Sequence, residues 1–394
     1  MNKNFSLKNL TIIWMLAFVI ASIFLSFTHF KSESNDSKYY SELVVRYQHA
    51  DFSNLITPKW GTNYWSFDPN SYMRDQFPGQ LLMGVALTRL GVGPEHALHI
   101  LGMFFQITSF LILASIAQKM MNQSQGTAFL VLALLLSPLA FSYNVRANHE
   151  LGIMFFSFLA LLAGMNLHQS KLWGLAAIVC SVSLLLIKGP FFIFSFALFS
   201  IGYFYSKERN HHKILFLSVL FLCLGAVVLT TLGFEALFSK ISGESFLKEF
   251  WRIQIEQRAM IDNKEHFFII RKLLNFYYYF SHYLAYSLPW SLILIYYVAI
   301  KGKFREFVVF CKSPLSQLFF LAAIVYCLVF SMSNRVAGRY TFPGYFLFTA
   351  WSALALYQLS AFLQEKMGAL KNKATLLLPL IWLVSFFLHF LKTF

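Results

Sequence analysis

Nine residues could do chemistry in a chain that is only 12% charged: Asp36, Asp75, Arg146, His149, Glu150, Lys188, Arg335, Arg339 and Tyr340. A carboxylate can take the proton of an acceptor hydroxyl or amine as general base. Lysine and arginine can stabilise a phosphate leaving group as charge builds on it. A carboxylate with a histidine can hold a divalent cation through oxygen and nitrogen. Together these parts describe transfer from a lipid-linked phosphate at a membrane surface. Each residue also has a plainer reading. Asp36 could cap the helix expected over Lys38–Tyr47 or be a solvated loop residue, and Asp75 could cap the helix after it. His149-Glu150 could close the start of a span, where the helix dipole favours Glu. Lys188 could snorkel to headgroups, and Arg339-Tyr340 could anchor a helix at the interface.

Lys188 is the most telling of them. It lies in Leu184-Leu185-Leu186-Ile187-Lys188-Gly189-Pro190-Phe191-Phe192, inside an apolar run from Leu172 to Tyr205. A cation within hydrocarbon costs several kcal/mol unless it reaches an interface or an anion. Gly189-Pro190 breaks the helix directly after it. The run therefore reads as two spans with the ammonium at their junction.

The elements that must position these groups are membrane helices. The chain has 394 residues, 58% of them hydrophobic, and a mean hydropathy of +0.59, which excludes an ordinary soluble domain. Spans are expected near 10–28, 97–118, 126–143, 150–167, 172–187, 190–206, 214–234, 278–300, 315–333, 340–362 and 374–391. The first reads as a retained helix, because no Ala-x-Ala cleavage site follows it. With the N-terminus in the cytoplasm, the cytoplasmic segments hold fourteen lysines and arginines against three glutamates, and the remaining basic and acidic residues nearly balance. That is the positive-inside pattern, and it accounts for most of the net charge of +15 without nucleic acid. Cys180, Cys223, Cys311 and Cys327 suggest neither a disulfide framework nor a metal motif. No Walker-type phosphate loop occurs.

The same topology puts the nine polar residues on one extracytoplasmic face. Two long outer segments, 29–96 and 235–277, lie there too. Leu81–Leu87 reads as an interfacial helix, and Phe246–Arg258 as an amphipathic helix on the membrane surface. The expected architecture is an all-α polytopic protein. It forms one membrane-embedded module over 1–394, without a soluble C-terminal domain.

The chain resembles the dolichyl-phosphate-mannose protein mannosyltransferase and lipid A aminoarabinose transferase family, membrane glycosyltransferases of the C-type fold. The resemblance rests on an ordered series. Asp36 through Glu42-Leu43 is similar to Asp-Glu-x-x-Tyr-x-Glu-Ile, and Ala50-Asp51 through Pro58 to Gly-Asp-Trp-x-x-Pro. Asp75-Gln76-Phe77-Pro78 is similar to Glu-Lys-Pro-Pro, and Ile187-Lys188-Gly189-Pro190 to Thr-Lys-Gly-Pro. Glu150 falls at the third-loop acidic position. Tyr277-Tyr278-Tyr279, Leu288-Pro289-Trp290-Ser291 and Arg339-Tyr340 with Pro343 follow in order. The resemblance implies an inverting transfer from a polyprenyl-phosphate sugar to a lipid, glycan or protein acceptor, at the outer face of the inner membrane. Asp36 would be the base. Lys188 and Arg339 would bind the donor phosphate, with Tyr340 and Arg258 as further candidates. Asp75, Arg74, Arg146, His149 and Glu150 would shape the acceptor side. His149, Glu150 and Asp75 are the candidate ligands should a divalent cation take part.

Three departures stand in the series. Ser37 follows the aspartate where the family has Glu, Gln76 replaces the lysine of Glu-Lys-Pro, and Glu150 replaces an Asp. Two rival readings remain at this point: a flippase for lipid-linked saccharides, and a polymerase or ligase of surface polysaccharide. Flippases place charges in a central cavity and often show repeated halves. Polymerases and ligases carry their large outer loop late in the chain, whereas the longest here is the first.

Overall fold

The computed structural model describes residues 15–16, 19–20, 35–61, 68–137, 139–140, 146–206, 212–256, 268–333 and 338–360. The expected spans at 10–28 and 374–391 lie almost wholly outside them. Within them the protein is helical, and its one strand-like feature is an isolated bridge between Lys59 and Tyr72.

The first outer segment folds as α1 (Asn35–Tyr47), α2 (Phe52–Ile56) and α3 (Gly79–Arg89). Tyr39, Leu43 and Val44 recur at helical spacing on α1 and are buried against Trp60, Met73, Leu81, Val85 and Leu98. The apolar stretch Leu81–Leu87, expected as an interfacial helix, lies in α3, where Leu81 and Val85 are buried. Asp36 sits inside the first turn of α1 and not before it.

Next come α4 (Ala97–Met121), α5 (Ser124–Leu135), α6 (Glu150–Asn166), α7 (Lys171–Lys188) and α8 (Phe192–Phe204). Gly189 adopts φ +59°, a left-handed conformation that glycine alone takes without strain, and Gly189–Phe191 forms one 3-10 turn. The chain reverses there. Ser181 and Ser195, seven residues either side of Lys188, face each other with Oγ atoms 2.8 Å apart. A continuous helix would hold them about 21 Å apart at 1.5 Å per residue. The expected break at Lys188 is therefore a hairpin of two helices. Gly164 and Gly202 let α6 and α8 meet backbone to backbone, since a Cβ at either would strike the other helix's main chain.

After α9 (Lys213–Ser242), the second outer segment begins with α10 (Phe246–Phe250) and a π turn, Trp251–Glu256. Gly243, at φ +74°, turns the chain back. Glu235 fixes the turn: its carboxylate accepts from the Leu247 N–H (2.8 Å) and the Ser239 hydroxyl (3.2 Å). The surface helix expected over Phe246–Arg258 is thus a short helix and a wide turn, with Arg258 outside the described residues. The span expected at 278–300 is two helices, α11 (Phe268–Tyr286) and α12 (Trp290–Ala299), separated at Pro289. Then follow α13 (Phe304–Cys311), α14 (Pro314–Ser331), a 3-10 turn (Gly338–Thr341) and α15 (Phe342–Leu359).

The long apolar stretches Ala97–Met121, Lys171–Phe204, Lys213–Ser242 and Pro314–Ser331 are each able to cross a membrane by length and composition, the second as a folded pair. α15 is buried along nearly its whole length at the centre. By contrast, α9 exposes Ile214, Leu217, Phe221, Leu222, Val228, Leu229 and Leu232. Such a surface is stable only against lipid or another apolar partner. This is an integral membrane protein.

Candidate active site

One pocket gathers Asp36, Tyr40, Asn148, His149, Glu150, Ile153, Lys188, Phe191, Arg339 and Pro343. Its walls come from the start of α1, the start of α6, the α7–α8 joint and the turn before α15. Those four places are distant in sequence and share one end of the bundle.

The Arg146–His149 loop is docked by its backbone. The Ala147 N–H donates to Ser37 Oγ at 2.6 Å, and the Ala147 carbonyl accepts from Gln80 Nε2 at 2.7 Å. Ser37 is fully buried. Ser37 therefore ties the Asp36 helix to the His149 loop. His149 occupies the N-cap position of α6 but makes no capping bond. Its ring meets the edge of Tyr40, with centroids 4.5 Å apart. Burial, then Lys188 and Arg339, hold the imidazole well below its usual pKa, so it is neutral at physiological pH. Glu150 lies in the first turn of α6, where the helix dipole favours a carboxylate. It is 8% exposed, and its Oε2 has no hydrogen-bond partner among the described residues.

Asp36 and Arg339 form an ion pair across 303 residues of sequence. The turn carrying Arg339 is held by Tyr345 and Thr341, whose hydroxyls donate to the Gly338 carbonyl at 2.7 and 2.9 Å. Lys188 donates to Gln76 Oε1 at 3.2 Å, and the Tyr40 hydroxyl donates to the same oxygen at 3.2 Å. Gln76 is buried.

The 74–79 segment is anchored next to this site by packing. Phe77 inserts among Phe234, Phe246 and Phe250, with ring centroids 5.0, 4.7 and 5.3 Å away. Gly79 lies so close to the Leu186 backbone that a Cβ would overlap it, and Gly189 lies equally close to the Phe250 ring. α10 thus braces both the Gln76 segment and the Lys188 joint.

Asp36, His149, Glu150, Lys188 and Arg339 are brought together, as their expected placement on one face requires. Arg146 is near enough to act on Glu150 electrostatically without lining the pocket. Arg74 and Asp75 are placed elsewhere. Arg74 Nη1 pairs with Glu244 Oε2 at 2.7 Å, and the Asp75 carbonyl accepts from Gln254. Both belong to the contact with the second outer segment, because the Phe77 anchor draws their stretch of chain towards α10. Among the described residues no three His, Cys, Asp or Glu side chains are grouped to hold a metal. Of the three expected cation ligands, His149 and Glu150 line the pocket and Asp75 does not. Arg258 and the Tyr340 side chain fall outside what is described. Tyr40, Asn148, Phe191 and Pro343 also line the pocket, and neither their type nor their spacing assigns them a role from sequence alone.

No protein-family model matches the sequence, and no curated protein matches it. Solved structures do. ArnT from Cupriavidus metallidurans in the apo state superposes with a TM-score of 0.59 at 17% identity, over 90% of this chain and 61% of ArnT. ArnT bound to undecaprenyl phosphate gives 0.64 at 17% identity, over 90% of this chain and 62% of that one. The chain thus spans about three fifths of the length of the structures it matches. At this identity the likeness establishes architecture alone: an integral membrane protein with the fold of ArnT.

Proposed function

We propose that this protein is a membrane glycosyltransferase that moves a hexosyl or pentosyl group from a polyprenyl-phosphate donor to a lipid, glycan or protein acceptor. The reaction would take place on the extracytoplasmic face, with the N-terminus in the cytoplasm. The observation that carries the reading is the pocket. Two carboxylates and two cations meet at one end of a membrane bundle, on a fold seen elsewhere with undecaprenyl phosphate bound.

In this reading the acceptor hydroxyl or amine attacks the anomeric carbon. The bond from that carbon to the phosphate oxygen breaks, and polyprenyl phosphate departs with the electron pair. Asp36 accepts the acceptor's proton. Lys188 and Arg339 stabilise the charge gathering on the phosphate. Arg339 is paired with Asp36, so an arriving phosphate competes with the carboxylate for the guanidinium. Success frees Asp36 at the moment a base is needed.

One observation favours a second assignment of the base. Glu150 is the buried carboxylate of the pocket whose Oε2 lacks a partner among the described residues, whereas Asp36 is held by Arg339. Burial is one way a carboxylate becomes a better base. Glu150→Gln and Asp36→Asn, assayed side by side, separate the two.

The test of the function itself is incubation of purified protein with polyprenyl-phosphate sugars and candidate acceptors. Release of free polyprenyl phosphate supports transfer. Movement of the intact lipid across a bilayer without cleavage would show a flippase instead. Elongation of a saccharide that remains lipid-linked would show a polymerase.

A further inference from the structure

We propose that Gln76 is a positioning residue of the phosphate site: a neutral acceptor that aims Lys188 and Tyr40 into the pocket without drawing on the lysine's charge. The inference rests on the donor-phosphate reading above. It is carried by one shared atom, Gln76 Oε1, which accepts from Lys188 Nζ and from the Tyr40 hydroxyl, each at 3.2 Å. An amide oxygen has two lone pairs, and these two donors fill them. Lys188 and Tyr40 both line the pocket, while Gln76 itself does not.

The identity of the side chain matters because of its charge. A glutamate of the same shape would take both hydrogen bonds, but it would neutralise the ammonium that the phosphate must meet. A lysine would repel Lys188 and offer it no acceptor. Glutamine holds the cation without placing a negative charge of its own beside it.

The fold fixes both ends of this contact. Phe77, directly after Gln76, is locked among Phe234, Phe246 and Phe250. The Asp75 carbonyl, directly before it, accepts from Gln254. On the other side, Gly189 abuts Phe250, and Leu186 abuts Gly79. The amide and the ammonium are therefore held by the same brace, and the bond between them is set by packing on either side.

Charge and packing predict opposite results for one substitution. Purified wild type, Gln76→Glu and Gln76→Leu are reconstituted in lipid nanodiscs. Undecaprenyl phosphate is the probe, and dissociation constants and thermal midpoints are both read. Gln76→Glu keeps the acceptor and strengthens the bond to Lys188, so its midpoint is expected to match or exceed the wild type. Its affinity is expected to fall ~10–100-fold, because a negative charge now sits beside the phosphate site. Gln76→Leu loses both bonds without adding charge and is expected to weaken binding ~3–10-fold. Equal dissociation constants for wild type and Gln76→Glu would overturn the inference. So would affinity losses that track midpoint losses in both variants, since Gln76 would then be a packing residue only. Wild type that fails to bind undecaprenyl phosphate would remove the proposed function and this inference together, and so differs from either outcome.

Discussion

Replacing Asp36 by asparagine tests the site most sharply, because the structure makes two predictions of opposite direction. The amide keeps the shape of the side chain in the first turn of α1 and loses the ability to take a proton. A positioned general base contributes ~10²–10⁴-fold in rate, or about 3–5.5 kcal/mol of barrier. kcat should fall by that factor. At the same time Arg339 loses its anionic partner, held now at partial exposure. Two charges near 4 Å in the partly solvated regime attract by at most about 4 kcal/mol, and measured net values are smaller. The freed guanidinium should therefore bind the donor phosphate as well as before, or up to roughly tenfold tighter. The assay is single-turnover release of polyprenyl phosphate in nanodiscs, paired with equilibrium binding of undecaprenyl phosphate. Loss of turnover with binding kept or improved is the expected pattern. Full turnover would refute Asp36 as base and turn attention to Glu150. Weakened binding would refute the competition for Arg339, and would mean that the carboxylate orients the arginine for the phosphate.

Lys188→Ala should weaken undecaprenyl phosphate binding ~10–100-fold, the worth of one charge-assisted bond. An unchanged dissociation constant would reduce Lys188 to an interface anchor. Glu150→Gln should lower turnover more than donor affinity, measured by the same pair of assays, and an effect confined to donor affinity would count against an acceptor-side role. Ser37→Ala strips the buried Ala147 N–H of its acceptor, at a cost of about 1–3 kcal/mol; a thermal midpoint equal to wild type would refute its docking role. His149 carries a pH signature. Its folded pKa is depressed by burial, Lys188 and Arg339, so the unfolded chain binds a proton that the folded site refuses once the pH drops below about 6.5. Stability from this group is present above that pH and lost below it. Between pH 7 and pH 5 the midpoint should fall more steeply for wild type than for His149→Gln, and parallel slopes would contradict the assignment.

Hydropathy made the helices and the shared face of the polar residues readable, because burial in lipid punishes every departure from an apolar run. The Lys188 joint was readable for the same reason, reinforced by Gly189-Pro190. Partners were not. Nothing in local sequence tells Asp36 that Arg339 will arrive 303 residues later, or tells Arg74 that Glu244 will claim it instead of the pocket. Those pairings follow from how α1 and α10 pack, which depends on Tyr39, Phe77 and Phe246 finding their cages. The break at Pro289 was hidden because both halves of the segment are apolar. Ser37 and Gln76 read as defects in a pattern. Their roles, as the acceptor for a loop amide and for a lysine, appear only with the loop and the lysine in place.

The pocket also imposes a rule of parity. Asp36, Glu150, Lys188 and Arg339 share one end of the bundle, so the chain must make an even number of passes between each of them and the next. Among the described residues, α4 and α5 are the helices that run along the bundle between Asp36 and Glu150, and α6 and α7 those between Glu150 and Lys188. Between Lys188 and Arg339 the described helices that run the length of the bundle are α8, α9, the broken pair α11–α12 counted as one, and α14. The α7–α8 hairpin is what keeps this sequence even: read as one unbroken helix, it would send Arg339 to the opposite end of the bundle from Asp36. Any homologue that gains or loses a single pass in this stretch must compensate elsewhere, or give up the ion pair.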